Sequence, residues 1–513
     1  MWNKSVIAGL AVAIVGSAAI LGWEALRPRL EEQQRVNTSD AMNSKGTILI
    51  GSDNFIGYYP VCSSHLRSLM QNEGYDVRCV DDAADYGKRF DKLNRGEIQF
   101  AVSTVDAYLL NGGATGFPGS IVAVIDQSQG ADAILACTGK AKNIDDLKRQ
   151  PDLTVAYTPK SPSEYLLKTS AIDFDIPHWR DVTKKSWRVE VGGSSEAAKK
   201  CASKAVDVAV LWEPDVTALL RKFPNDVVKI LGTENTARLI VDVLIVRREY
   251  AQDNPEAVQA LMRNYFKTLF YYRNDPAEAA ADAAAYGRID SEAIGSALKG
   301  VGWATLEENA ALWLGLSVAG SQPQHGLIET IDRTNQILVE YGDFTKSPLP
   351  NNDPRVIVWS GFVDELYQHG VNNAVIDQKS ADSLSHEFPE LDEAAWTQLK
   401  EIGTLRVRPI MFQRGSGELS VSAKENIDRI ADVVRSYPNF RILIEGHTSA
   451  RGDPAVNLEL SHERADAVTR YLMVTYGVRQ NRIRAVGYGG TKPDKQHSEW
   501  PSRVVVKLVT EAY

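Results

Sequence analysis

Between Gly46 and about residue 232 short apolar runs alternate with amphipathic ones, and this alternation restricts the chain to one class of fold. TILIG, YDVRCVDD, IQFAVS, IVAVID, DAILACTG, LTVAYTP, WRVEVGG, VDVAVLW and VVKILG read as strands; SSHLRSLMQNEG, FDKLNRG, NIDDLK, SPSEYLLKTS and SEAAKKCASKA read as helices between them. Apolar strands separated by helices predict an α/β protein with mainly parallel sheets. Sheets of that kind take ligands at the carboxyl ends of their strands, beside helix N-termini. The candidate ligand-binding residues are therefore those in loops that follow strands. Ser52, Asn54, Phe55 and Tyr58 follow the first strand, and Ser103, Thr104 and Asp106 follow another. Ser161, Ser163 and Glu164 open a helix, and Trp212 and Glu213 end AVDVAVLW. Asp126, Ser128 and Asp132 bring short polar groups together in VIDQSQGAD. Ser161 and Ser163 taken singly also fit helix N-caps, Trp212 fits a core as well as a pocket wall, and Glu213 before Pro214 fits a helix start. Phe55, Tyr58, Tyr59 and Trp212 suit a flat or amphipathic ligand. These loops hold no concentrated basic cluster, so an amine-bearing or zwitterionic solute fits them better than phosphate or nitrate.

Residues 250–345 read as helices, with Leu261, Tyr265, Leu269 and Tyr272 forming an apolar stripe for core packing. A proline-rich loop, KSPLPNNDPRVI, and a short helix, WSGFVDELYQHG, close this unit near residue 370. Residues 371–400 are rich in acidic and polar residues, with Phe388 and Trp396 among them, as in a linker with some helical content. Beyond them LRVRPIMF, RILIEGH, RIRAVGYG and RVVVKLV read as strands, and SVSAKENIDRIADVVRSY as a helix. A second helix is predicted on Leu458, Leu460, Ala465, Val468, Tyr471 and Leu472. The whole is an α+β domain that mixes parallel and antiparallel pairing. Its turn GHTSARGDP gathers Thr448, Ser449, Arg451 and Asp453, with Asn457 and Ser461 following, where a helix N-terminus suits a carboxylate.

The net charge of -9 argues against a nucleic-acid partner. Residues 5–23, SVIAGLAVAIVGSAAILGW, are uncharged and long enough to span a bilayer. Lys4 ahead of them would stay inside and send the remainder outward, against a weaker signal from Arg27 and Arg29. The rival reading of residues 1–23 is a signal peptide cleaved near Gly16-Ser17-Ala18; in either case residues 24–45 are a polar spacer. No cysteine follows the segment, which excludes a lipoprotein. Four cysteines occur, and in an oxidising compartment three pairings are open to them. Cys62 with Cys79, joining the first helix to the second strand, is the preferred disulfide, with Cys137 and Cys201 as buried thiols. No Cys/His spacing for zinc and no cofactor motif is present.

Gly446, His447, Thr448, Gly452, Asn457, Leu460, Ser461, Arg464 and Ala465, with Phe412, Gly487, Gly489 and Pro493, resemble the core motif of the OmpA-like peptidoglycan-binding domain, over residues 401–513. The resemblance implies a peptidoglycan site of Thr448, Ser449, Asn457, Leu460, Arg464 and Arg503, in which an Asp and an Arg grip the ammonium and carboxylate of diaminopimelate. Arg464 is retained, while Ser449 stands where the family has its Asp, and the family's closing Asn-Arg-Arg is kept in part as Pro501, Ser502 and Arg503. IGSDNFIGYYPV, LNRGEIQFAVSTVDAYLL and AVDVAVLWEPDV resemble the periplasmic substrate-binding proteins of the nitrate, sulfonate and thiamine-precursor type. That implies a two-lobed α/β domain over residues 46–370, crossed at Ile121–Asp126 and Ala237–Val246, with a second lobe at about 126–236 and a small organic solute between the lobes. The iron-linked cysteine cluster of the related pyrimidine synthases is absent, and no nucleophile, base and orienter can be assembled, so an enzyme is not expected. The expectation is an inner-membrane, single-pass protein with its bulk in the periplasm, capturing or sensing a solute while held to the wall. The alternatives are an assembly protein that uses the binding fold to dock an envelope protein partner, and a receptor for an ABC transporter.

Overall fold

The computed structural model describes residues 44–181, 183, 186–287, 291–318, 323–369, 388–406, 410, 412–413, 415–492 and 502–511. The expected membrane segment at 5–23 lies outside them, as does most of the 371–400 linker. Among the described residues no helix is long and apolar enough to cross a membrane.

The chain begins in one sheet with β1 (Gly46–Ser52), β2 (Tyr75–Asp81), β3 (Phe100–Thr104) and β4 (Gly119–Ser128). It then builds a second sheet from β5 (Asp132–Ala136), β6 (Val155–Tyr157), β7 (Arg188–Glu190), β8 (Val208–Trp212) and β9 (Val228–Gly232). It returns as β10 (Val241–Arg247) and β11 (Val301–Trp303) to complete the first, in the order β11-β4-β10-β3-β1-β2; the second runs β7-β6-β8-β5-β9. Each sheet has its own lobe, and the chain crosses between them at 129–131 and 233–240. Strand β1 pairs in parallel with β2 and β3, and β6 with β7 and β8. The expectation of mainly parallel sheets is corrected where the chain changes lobe. There β10 runs antiparallel to β3 and β4, and β5 antiparallel to β8 and β9, because a strand that leaves one lobe and a strand that returns to it run in opposite directions.

The crossings are tied to each other. Ser128 Oγ and Thr233 Oγ1 lie 2.6 Å apart, and the amides of Gly130 and Asp132 donate to Thr233 Oγ1 at 3.0 and 3.2 Å. The helix Pro255–Asn274 buries Leu261, Tyr265, Leu269 and Tyr272 against the first lobe, as its stripe predicts.

Two disulfides are formed. Cys62–Cys79 is the expected pair; Cys137–Cys201 corrects the expectation of two thiols. The helix Ser194–Ala202 lies on β8 of the second sheet and delivers Cys201 to the end of β5, with a Cα–Cα distance of 5.1 Å. A separation of 64 residues conceals that contact in the sequence.

The C-terminal domain has the sheet order β12-β15-β13-β14, from β12 (Lys400–Thr404), β13 (Arg441–His447), β14 (Ile483–Gly487) and β15 (Arg503–Thr510). Among the described residues its first strand is KEIGT, paired with β15 ahead of the expected LRVRPIMF, of which residues 407–409 and 411 lie outside those described. Helix Val421–Ser436 and helix Pro454–Tyr476 cover the sheet. In the latter Ala465, Val468 and Leu472 are buried, while Leu458 is 50% exposed, against expectation, because it precedes the stretch that lies on the sheet. Residues 388–399 are part of this domain: Arg441 donates to Pro389 O, Asn481 to Phe388 O, and Arg484 bonds Glu393 at 2.7 Å.

The C-terminal domain rests on the second lobe and on a crossing. Tyr437 donates to the buried Asp173 at 3.0 Å, Thr404 Oγ1 to Asp145 at 2.9 Å, and Lys148 Nζ to Thr404 O at 2.6 Å. At the second crossing Asn439 donates to Glu234 O at 2.7 Å and Ala237 N to Ser436 O at 2.9 Å. A Cβ on Gly403 would stand 2.9 Å from Ile144 Cβ and 3.0 Å from Phe174, so glycine permits the close approach.

Candidate functional site

Where β4, β10 and the start of β5 meet, three acids stand inside apolar strands. Asp126 and Asp242 are opposite one another in the β4/β10 register, and Asp132 opens β5 opposite Trp212. All three are buried. Tyr58 donates to Asp242 at 2.5 Å. No N–H or hydroxyl group donates to Asp126, whose carboxyl partner is Asp242, and Oδ1 of Asp132 has no partner. Taking a carboxylate out of water without a counter-charge favours its protonated form. Burial, then repulsion from Asp132, pushes Asp126 well above the usual range, and burial, then Asp126, does the same to Asp242. Burial raises Asp132 to about 7, and likewise Asp106 and Glu213.

These groups border a cavity of about 10 Å³ between the lobes, lined by Phe55, Tyr58, Tyr86, Thr104, Asp132, Pro162, Trp212, Ile240 and Asp242. That is roughly the room one water takes. Of the residues singled out in the sequence, Phe55, Tyr58, Thr104, Asp132 and Trp212 are on its wall. Trp212 Nε1 is buried with no acceptor, and Phe55 and Tyr58 meet edge to face at 5.1 Å. Asp126 stands behind Asp242, and Ser128 holds the crossing, where its Oγ accepts from Asp132 N. Ser52 is buried and Ser103 Oγ donates to Thr104 O, whereas Asn54 is exposed. Its neighbour Asp53 turns inward instead, to Arg89 at 2.9 Å. Neither Ser161 nor Ser163 acts as a cap: Ser161 donates to Thr158 O and Ser163 Oγ has no partner. Glu164 bridges Lys168 at 3.2 Å, and Glu213 accepts from Thr217 N and Oγ1 at the start of its helix.

Sequence reasoning missed Asp242, Tyr86, Pro162 and Ile240. For Asp242 the signal was present, an acid within VDVLIV, as in VAVID. For Tyr86 there was none, since its place depends on Arg89, whose guanidinium lies 4.6 Å from the Tyr86 ring centre while bonding Asp53, Asp82 and Val102 O. Among the described residues no group of His, Cys, Asp or Glu is arranged to hold a metal ion.

The second site is in the C-terminal domain. A Cβ on Gly446 would meet Ser461 O at 1.9 Å, and one on Gly487 would meet His462 N at 2.6 Å. The two glycines thus let helix Pro454–Tyr476 lie directly on the sheet. Ser461 Oγ donates to Leu458 O and accepts from Gly489 N. Asp453 caps the helix through Ala455 N and Val456 N, and Asn457 donates to Arg451 O. Arg464 is 7% exposed, donates to Ser416 O at 3.2 Å and has Phe412 5.1 Å beneath its guanidinium. Thr448 Oγ1 is buried without a partner. Ser449 and Leu460 are half-buried, and Arg503 stands opposite His447 in the β13/β15 register.

The sequence model of the OmpA family matches residues 411–506, and that of the NMT1/THI5 like family matches residues 69–279. The peptidoglycan-associated lipoprotein of Buchnera aphidicola is 30% identical over 134 residues, which are 26% of this chain and 70% of that protein. Through its last domain the chain belongs to the OmpA family. The OmpA domain is also 42% identical over 84 residues to the peptidoglycan-associated lipoprotein of Rhizobium meliloti, covering 16% of this chain and 47% of that one. It is 32% identical over 100 residues to outer membrane porin F of Pseudomonas aeruginosa, covering 20% and 29%. The chain thus spans less than half the length of these last two relatives. Among solved structures, the alkanesulfonate-binding protein SsuA from Xanthomonas axonopodis bound to MOPS is 16% identical, covering 62% of this chain and 99% of that one, with TM-score 0.47. The desulfurization enzyme DSZB is 11% identical, covering 64% and 100%, with TM-score 0.44. The two-lobed part thus carries the NMT1/THI5-like match, and it is fused to the OmpA domain.

Proposed function

We propose that the protein is a non-catalytic envelope receptor that closes its two lobes on a small organic solute while the OmpA domain holds peptidoglycan. Residues 5–23 would fix it as a single pass in the inner membrane, with the solute-binding domain at 46–370 and the wall-binding domain at 401–513 both in the periplasm. The observation that carries the reading is the cleft itself: an unpartnered carboxyl oxygen of Asp132 and the unpartnered indole N–H of Trp212 lie with aromatic rings where the chain crosses between lobes. Buried polar groups left without partners cost about 1–3 kcal/mol each, which a bound solute would recover. Mass spectrometry of small molecules co-purified with the full chain tests it; repeated recovery of none, with no stabilising solute, counts against it.

The same cleft supports a second reading. A cavity of about 10 Å³ admits no organic solute until the lobes part, as would suit a binding fold kept as a platform for an envelope protein. A protein partner whose capture is unaffected by substitutions at Asp132 and Trp212 would favour it. Delivery to an ABC transporter remains a variant of the first reading.

For the wall, support comes from Arg464, which keeps its cationic place on helix Pro454–Tyr476 over Phe412, and from relatives named as peptidoglycan-associated. With Ser449 in place of the acid, the carboxylate grip is retained and the charged amine grip is lost, and a charge-assisted bond is roughly twice as strong as a neutral one. Weak co-sedimentation with diaminopimelate-type sacculi, abolished in Arg464→Ala, is the expected result. Equal sedimentation of the two proteins would remove this pocket from the account.

A further inference from the structure

We propose that the solute is an organic cation bearing N–H donors, received by Asp132 and Asp242 with Asp126 behind them and by the faces of Tyr86 and Trp212. The inference rests on the receptor reading above and narrows it to one chemical class. Three carboxyls meet here, and the buried cations nearby already have partners. Arg89 is bonded to Asp53 and Asp82, and Lys168 to Glu164 and Asp343. A positive charge arriving in the cleft is what would let these acids ionise, whereas an anion would oppose their ionisation. The unpartnered atoms refine the class. Oδ1 of Asp132 is an acceptor awaiting a donor, and Trp212 Nε1 is a donor awaiting an acceptor. A primary or secondary amine, amidine or guanidine with a polar acceptor fills both needs; a quaternary ammonium supplies no N–H. Aromatic rings on the cavity wall favour a cation over their faces. Asp132 is fixed for this role because its amide is held by Ser128 and Thr233 at the crossing, so a cation drawn to it would pull on the segment about which the lobes close.

The test uses the full chain and a set of probes: tyramine and putrescine as N–H cations, choline as a quaternary one, and methanesulfonate and p-hydroxybenzoate as anions. Tyramine or putrescine is expected to raise the melting temperature saturably, with choline and the anions without effect. In isothermal titration the affinity should rise with pH through about 7, where Asp132, with Asp106 and Glu213 around it, gives up its proton; burial holds Asp126 and Asp242 well above the usual carboxylate range, and Tyr58, Tyr86 and Tyr265 stay neutral. Asp132→Asn should weaken binding about tenfold to a hundredfold while leaving the ligand-free protein as stable or more so. A variant merely damaged in folding would lose stability instead. Binding of methanesulfonate or p-hydroxybenzoate with no response to the amines overturns the class and leaves the receptor reading standing. Silence from every probe, together with no co-purified solute, overturns both.

Discussion

Asp126, Asp132 and Asp242 make the ligand-free protein sensitive to pH in the direction opposite to ordinary acid denaturation. An acid whose folded pKa is raised keeps its proton in the native state while the unfolded chain has lost it. The unfolded state thus binds fewer protons between about pH 4 and pH 7, and stability falls as pH rises through that window. Each such group contributes a slope of up to about 1.4 kcal/mol per pH unit. For Asp132, Asp106 and Glu213 the loss levels off near 7. Urea midpoints at pH 5 and pH 7.5 check this: the wild type should be the more stable at pH 5, and Asp132→Asn should flatten the difference. An unchanged slope in the variant would show that Asp132 titrates normally. At this scale the sequence was legible wherever an acid interrupts an apolar strand, as at Asp126 and Asp132. It was silent where a residue's place depends on tertiary neighbours. Asn54 and Asp53 are adjacent in the chain, and Arg89, 36 residues from Asp53, decides that Asp53 turns inward.

At the scale of elements, two close fits and two cross-links hold the secondary structure in place. Gly446→Ala would drive a methyl into Ser461 O, and an overpacked contact of this kind costs about 3 kcal/mol; thermal melts of the OmpA-domain transition should show it, with the two-lobed domain unmoved. Chain entropy assigns about 4 kcal/mol to closing the 64-residue loop at Cys137–Cys201 and about 3 kcal/mol to the 17-residue loop at Cys62–Cys79. Replacing Cys137 and Cys201 together by serine should therefore lower the denaturant midpoint more than replacing Cys62 and Cys79. The reverse order would place the benefit in local strain. Element identity was readable because period-2 and period-3.6 patterns are local; pairing was not. KEIGT, which lacks the apolar run of a strand, takes the edge beside β15, since the backbone partner and not side-chain propensity sets register there.

For the whole molecule, the docking of the OmpA domain on the second lobe was invisible in the sequence, being made of single groups scattered over 250 residues and more. Tyr437→Phe leaves buried Asp173 one donor short, Arg333 at 3.5 Å remaining, and should weaken the docking by about 1 kcal/mol. Gly403→Val, which places bulk against Ile144 and Phe174, should abolish it. Small-angle scattering is the check: the variant chain should be longer than the wild type, and equal profiles would mean that the two domains are held by other contacts. The docking also gives the molecule a mechanical axis. The N-terminal strand β1 enters the first lobe, while the OmpA domain grips the second lobe and hydrogen-bonds the crossing at Glu234 and Ala237. In the proposed arrangement, with one end in the membrane and the other on the wall, any widening of the gap between them becomes tension across the cleft and draws the lobes open. Occupancy of the cleft would then report envelope strain as well as solute, and a wall held farther from the membrane would make the same receptor release its cargo. An optical trap pulling between residues 44 and 511 would register this as a short, ligand-dependent extension before any unfolding.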